Sequence, residues 1–111
     1  IGKMALKIFT KNNLWSDVEK NVVVRDATIN EVVVHTAMKQ GDASIITEDC
    51  AINAKDIDYI SIPEEQNVIE IVPIGALGFS KETELAQQFV DFVASDAGKA
   101  IYKKHGFKPV Q

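Results

Sequence analysis

One cysteine, Cys50, occurs in the 111 residues. A single thiol excludes an internal disulfide and any CxxC redox or zinc pattern. It leaves the compartment open. No run is long and apolar enough to cross a membrane as a helix. No signal peptide precedes the first element, and the chain opens on Ile1 rather than Met. That start reads as a cleavage or fragment boundary, so the missing leader says nothing about location. No stripe of basic residues with interleaved aromatics is found, and the formal net charge is −4. Nucleic-acid binding is therefore not expected. An anionic ligand would gain nothing from the overall field and would need local donors. Internal repeats and low-complexity stretches are also lacking.

The remaining composition, 46% hydrophobic and 25% charged, is that of an ordinary globular protein. The length suits one small domain. Helical periodicity predicts a first helix over 2–13, with Ala5, Ile8, Phe9 and Asn12 on one face. Leu14 and Trp15 pack its exit, and Ser16 and Asp17 cap a short turn. Val22, Val23 and Val24 form a β-branched run expected of a strand buried on both faces. Thr28 is a natural N-cap for a helix over 29–40, and Glu31 completes a capping box. Ile29, Val33, Thr36, Ala37 and Gln40 share a face of that helix, and Gly41 and Asp42 end it.

Residues 43–47 read as a short strand. Segment 48–55 is open between types. Residues 57–62 alternate like a half-buried strand ending at Pro63, and 64–67 form a polar turn. Residues 68–72 and 74–79 read as one extended segment broken by Pro73. Two helices close the chain. One spans 81–94, with Ser80 as N-cap and Leu85, Phe89, Phe92 and Val93 at helical spacing. The other spans 96–105, with Ala97, Ala100 and Ile101 inward and Gly106 as its terminator. The alternation argues an α/β domain with a mixed sheet flanked by helices.

Four runs carry a family resemblance. Gly2-Lys3-Met4-Ala5 with Leu14-Trp15, and then GDASII over 41–46, resemble elements of the periplasmic molybdate- and tungstate-binding proteins. The runs AQQFVDFVASDAG over 86–98 and KHGFKP over 104–109 resemble signatures shared widely among type II solute-binding proteins. The resemblance implies that residues 1–111 are the C-terminal part of a two-lobed protein, one partial lobe of a type II periplasmic-binding fold with its closing helices. It implies an extracytoplasmic place, in the periplasm or at the cell surface, with a lipid anchor as one form of the full-length protein. It implies a tetrahedral oxyanion ligand, the membrane subunits of an ABC transporter as partners, no cofactor and no catalysis. The first lobe, with its serine hydroxyl ligands, would be missing. The orphaned face would then favour self-association of the fragment.

Within that frame the candidate ligand residues are Thr28, Ile29, Asn30, Thr47 and Glu48. A helix N-terminus offers free N–H groups and a positive dipole end, and the backbone at Ile29 and Asn30 matches the family's donor position. The same residues also suit a capped structural helix. Thr47 stands where relatives often place a tyrosine, and its hydroxyl equally suits a backbone bond at a strand end. Glu48 brings a carboxylate beside a dianion. Two like charges about 4 Å apart repel by roughly 4 kcal/mol at an effective dielectric of about 20. Only direct coordination to the oxyanion's metal, or a protonated carboxyl, offsets that, and a solvated acidic loop explains Glu48 more simply.

Other residues fit blander roles. His35 and His105 have no local partner ligands, and His105 suits a helix dipole. Cys50 has no base placed beside it and reads as a small buried residue. Asp56 and Asp58 share a strand face at period two, as solvent-facing residues do. Trp15 anchors the first helix. An effector-sensing domain of a transcriptional regulator is the alternative function, and an enzyme using Cys50 or a carboxylate pair is a third class.

Overall fold

The computed structural model describes residues 1–110. Among them are six helices: α1 (Gly2–Lys11), α2 (Trp15–Lys20), α3 (Ile29–Ala37), α4 (Glu48–Asn53), α5 (Thr83–Ala94) and α6 (Asp96–Lys104). The chain divides into two compact units, Ile1–Ile69 and Glu70–Gln111.

In the first unit α1 packs with α2, and α3 with α4. The predicted face of α1 is the covered one: Ile8 is buried, and Ala5, Phe9 and Asn12 are half-buried. Short α2 carries Asp17 in its first turn and Lys20 in its last, each favourable to the helix dipole. Their ion pair, at 3.5 Å, is exposed and contributes little. On α3, Ile29, Val33, Thr36 and Ala37 are half-buried as predicted, while Gln40 lies beyond the helix and is exposed. The Thr36 hydroxyl sits 2.8 Å from that of Ser44, joining α3 to the segment before α4. Segment 48–55, open in sequence, supplies α4, which buries Ala51.

The three helices with left-handed C-termini end alike. After α1, Asn13 takes φ 58°, and the N–H groups of Asn13 and Leu14 donate to the carbonyls of Thr10 and Phe9. After α3, Lys39 takes φ 57°, and the N–H groups of Lys39 and Gln40 donate to Thr36 and His35. After α6, Gly106 takes φ 90°, and those of Gly106 and Phe107 donate to Lys103 and Tyr102. This paired pattern satisfies carbonyls that the helix leaves open. Phe107 also meets Tyr102 edge-on, with ring centres 5.5 Å apart. Lys39, not Gly41, is thus the turning residue after α3, and the helix stops earlier than the glycine suggested.

The mixed sheet flanked by helices is not found. Among the described residues there is no strand. A ladder needs a neighbouring strand to accept and donate across the gap, and the apolar runs here have none. Val23, expected inside, is 74% exposed. Ile60 is 95% exposed, and Asp56 takes φ 63°, which breaks the alternation that would align it with Asp58.

In the second unit α5 packs against α6. Of the expected α5 stripe only Val93 is covered, and that in part. Leu85, Phe89 and Phe92 are exposed, while Ala86, Val90 and Val93 are half-covered. Helix α5 begins at Thr83, because Ser80 accepts the Glu82 N–H at 3.2 Å before the first turn rather than capping it. Ala97, Ala100 and Ile101 are likewise exposed. The contact is made by Gly98, which is buried. A Cβ there would stand 2.3 Å from the Phe92 carbonyl oxygen and 2.6 Å from that of Val93. Glycine is what lets α6 start against the end of α5. Ser95 fixes the corner: its Oγ donates to the Phe92 carbonyl at 2.6 Å and accepts the Gly98 N–H at 3.3 Å.

Candidate functional site

Helix α3 starts at Thr28, whose extended backbone (φ −127°, ψ 155°) feeds the first turn. The capping box is complete. Thr28 Oγ1 accepts the Glu31 N–H at 3.3 Å, and Glu31 Oε2 accepts the Thr28 N–H at 3.0 Å. The same Glu31 oxygen also accepts the Ala27 N–H at 3.0 Å. Four N–H groups at a helix start have no intrahelical acceptor. Two of the four, on Thr28 and Glu31, are used by the box. The two without an acceptor among the described residues are those of Ile29 and Asn30. Thr28 Oγ1 accepts one bond and keeps a hydroxyl hydrogen to donate.

Charge around this helix start is mixed. The N-terminal dipole end favours an anion, and Glu31 already supplies one. Asp26, whose side chain is only 10% exposed, places Oδ1 2.8 Å from His35 Nδ1. The distance is that of an ion pair once the imidazole is protonated. The buried Nδ1 makes no aligned hydrogen bond. His35, without a partner in its sequence neighbourhood, gains one in Asp26, two residues ahead of the cap of its own helix.

Thr47 is not the end of a strand. It is the N-cap of α4, with φ −79° and ψ 152°, and its side chain caps no N–H. Its carbonyl accepts the N–H groups of Cys50 and Ala51 at 3.1 and 3.0 Å. Glu48 and Asp49 fill the first turn of α4, where negative charge complements the helix dipole. Thr28, Thr47 and Glu48 are all exposed. The packing of α3 with α4 puts both helix starts in one unit. Among the described residues no hydrogen bond joins Thr28, Ile29 or Asn30 to Thr47 or Glu48.

The remaining candidates occupy other positions on the helices. Cys50 is half-buried, with Sγ 3.7 Å from Asp49 Oδ2. His105 is the C-cap of α6. Trp15 opens α2. Among the described residues no cluster of His, Cys, Asp and Glu suits a metal ion. A separate open apolar groove of about 560 Å³ lies along α5, lined by Ser80, Glu82, Leu85, Ala86, Gln88 and Phe89. None of the candidate ligand residues borders it.

The start of α3 thus offers amide and hydroxyl donors, and sequence comparison gives the family. The profile of the bacterial extracellular solute-binding proteins matches residues 1–108. This chain belongs to that family. A provisionally named binding protein of Haemophilus influenzae is 27% identical over 111 residues, all of this chain and 45% of the relative. A Bacillus subtilis protein, provisionally named as the ABC transporter substrate-binding lipoprotein YvgL, is 23% identical over 107 residues, 96% of this chain and 41% of the relative. The chain thus spans less than half the length of these curated relatives. No solved structure matches it.

Proposed function

We propose that this chain is part of an extracytoplasmic solute-binding protein that presents a tetrahedral oxyanion, such as molybdate or tungstate, to the membrane subunits of an ABC transporter. The name of the Bacillus relative supports the transport role and a place outside the cytoplasm, and favours it over an effector domain of a transcriptional regulator. The observation that carries the ligand class is at α3. Its capping box uses two of the four open N–H groups and leaves those of Ile29 and Asn30 to point at a ligand. The Thr28 hydroxyl is a third donor, and Thr47 a fourth from the start of α4. Glu48 acts as a dipole partner of α4 rather than as a ligand. Binding needs no cofactor and no catalytic group.

Two amides and two hydroxyls hold only part of a tetrahedral dianion. The remaining donors belong to the rest of a longer protein, so the 111-residue chain alone binds weakly or not at all. Calorimetric titration of the full-length protein with molybdate, tungstate and sulfate tests the reading. Tight binding of a metal oxyanion supports it. Failure of molybdate and tungstate to bind overturns the ligand assignment.

A further inference from the structure

We propose that Asp26 and His35 are a positioning pair for the start of α3, holding the entering chain so that the N–H groups of Ile29 and Asn30 stay in place for an anion. Asp26 Oδ1 stands 2.8 Å from His35 Nδ1. The Asp26 side chain is only 10% exposed, and His35 Nδ1 is buried. A carboxylate withdrawn from water is costly unless a partner offsets its charge. His35 is the partner the fold supplies, and imidazole is the side chain that takes up positive charge near neutral pH.

Asp26 is the first of three consecutive residues held from inside α3. Glu31 Oε2 accepts the N–H groups of Ala27 and Thr28, each at 3.0 Å. His35 meets Asp26 from one turn further along the helix. Residues four apart on a helix lie on one face, so Glu31 and His35 hold the approach from the same side of α3. The capping box fixes Thr28 at the first turn. The pair adds an anchor two residues earlier, and the peptide planes between anchor and helix lose their freedom to rotate. Thr28 is thereby kept at ψ 155°, the angle that directs the following Ile29 N–H. Donors fixed before the ligand arrives need no ordering when it binds.

The pair also offsets a charge. Glu31 already places one carboxylate beside the donors. An unpaired Asp26 would be a second, and an imidazolium at His35 compensates it. On α4, which packs against α3, the ionisable groups are Glu48, Asp49 and Cys50. Arg25 precedes Asp26, and Lys39 and Asp42 follow α3. Among the described residues no carboxylate other than that of Asp26 forms an ion pair with His35. What the pair positions rests on the solute-binding reading; the anchor itself belongs to this chain with or without a ligand.

Hydrogen exchange and molybdate calorimetry on the full-length protein test it. Asp26→Ala and His35→Ala each release the approach. Exchange at the Ala27 and Thr28 amides rises about fivefold, the worth of one hydrogen bond, without change in α1. Molybdate affinity falls about fivefold in both variants. In the wild type that affinity also falls as the imidazole gives up its proton across about pH 6–8, and His35→Ala flattens the profile. Asp26→Ala separates positioning from charge, because it deletes a negative charge along with the anchor. Tighter molybdate binding in Asp26→Ala overturns the positioning role. Unchanged exchange at Ala27 and Thr28 in both variants, or equal acceleration throughout the first unit, overturns the anchor. A wild type that binds neither molybdate nor tungstate overturns the ligand reading instead, and exchange then decides the anchor.

Discussion

The Glu31 carboxylate accepts the backbone N–H of Thr28 at 3.0 Å while the Thr28 hydroxyl accepts that of Glu31 at 3.3 Å. This reciprocal pair both builds α3 and sets its electrostatics. It stabilises the helix start that the candidate site needs, yet it holds a negative charge beside the place proposed for an anion. Stability and affinity therefore pull in opposite directions at Glu31.

Replacing Glu31 by Gln separates them. The box weakens, so the first unit loses up to about 1 kcal/mol in a denaturant melt. A unit charge removed near an exposed ligand is worth about 1 kcal/mol, so the full-length protein binds the oxyanion about fivefold more tightly. A fall in affinity would show that Glu31 contacts the ligand through something other than charge.

Thr28→Ala loses both roles together. The cap costs about 1 kcal/mol, and the loss of a donor hydroxyl weakens oxyanion binding in the full-length protein. Thr28→Ser restores both. Urea melts and calorimetry on the same variants check whether the two losses travel together.

Gly98→Ala breaks the corner between α5 and α6, because a Cβ stands 2.3 Å from the Phe92 carbonyl oxygen. Backbone has to shift, at about 1–3 kcal/mol. Exchange rises in the second unit and not in α1 or α3. The reverse case is Lys39, which holds φ 57° without the freedom of glycine. Lys39→Gly relieves about 1 kcal/mol of left-handed strain and raises the denaturation midpoint.

Self-association is expected of the chain on its own. It exposes 9149 Å², whereas two separately compact units sharing its 12.2 kDa would expose about 7,300 Å². Val72 and Phe79 are more than 80% exposed, and Ile71 and Phe89 more than 60%. Apolar area on this scale favours association. Sedimentation velocity at rising concentration shows oligomers; a monomer at the highest concentration would contradict it.

The helices were legible because their signals are local. The Ala5, Ile8, Phe9 and Asn12 face, the Thr28 cap with Glu31, and the Gly106 stop all lie within a few residues of what they specify. The sheet was not, because a run such as 22–24 states only a preference for an extended backbone. Its pairing depends on a neighbour elsewhere in sequence, and here the run finds none. Most of the α5 stripe is uncovered for a related reason: period shows that Leu85 and Phe89 share a face, not that anything covers it. At the candidate site, the free amides of Ile29 and Asn30 follow from a readable capping box. The second bond to Glu31 from Ala27, and the approach of His35 to Asp26, depend on how the chain enters the helix. Thr47 was placed at a strand end because segment 48–55 gave no helical pattern long enough to announce α4.

The central claim is that the Ile29 and Asn30 amides hold the oxyanion, and Ile29→Pro tests it most directly. Ile29 is the first residue of α3, where proline is tolerated, and Thr28 already has the extended backbone that a following proline requires. The substitution deletes one donor and keeps the helix. Calorimetry on the full-length protein should show oxyanion affinity about 10- to 100-fold weaker, the loss of one hydrogen bond to a charged group, with helical circular dichroism unchanged. Wild-type affinity in Ile29→Pro would contradict the account.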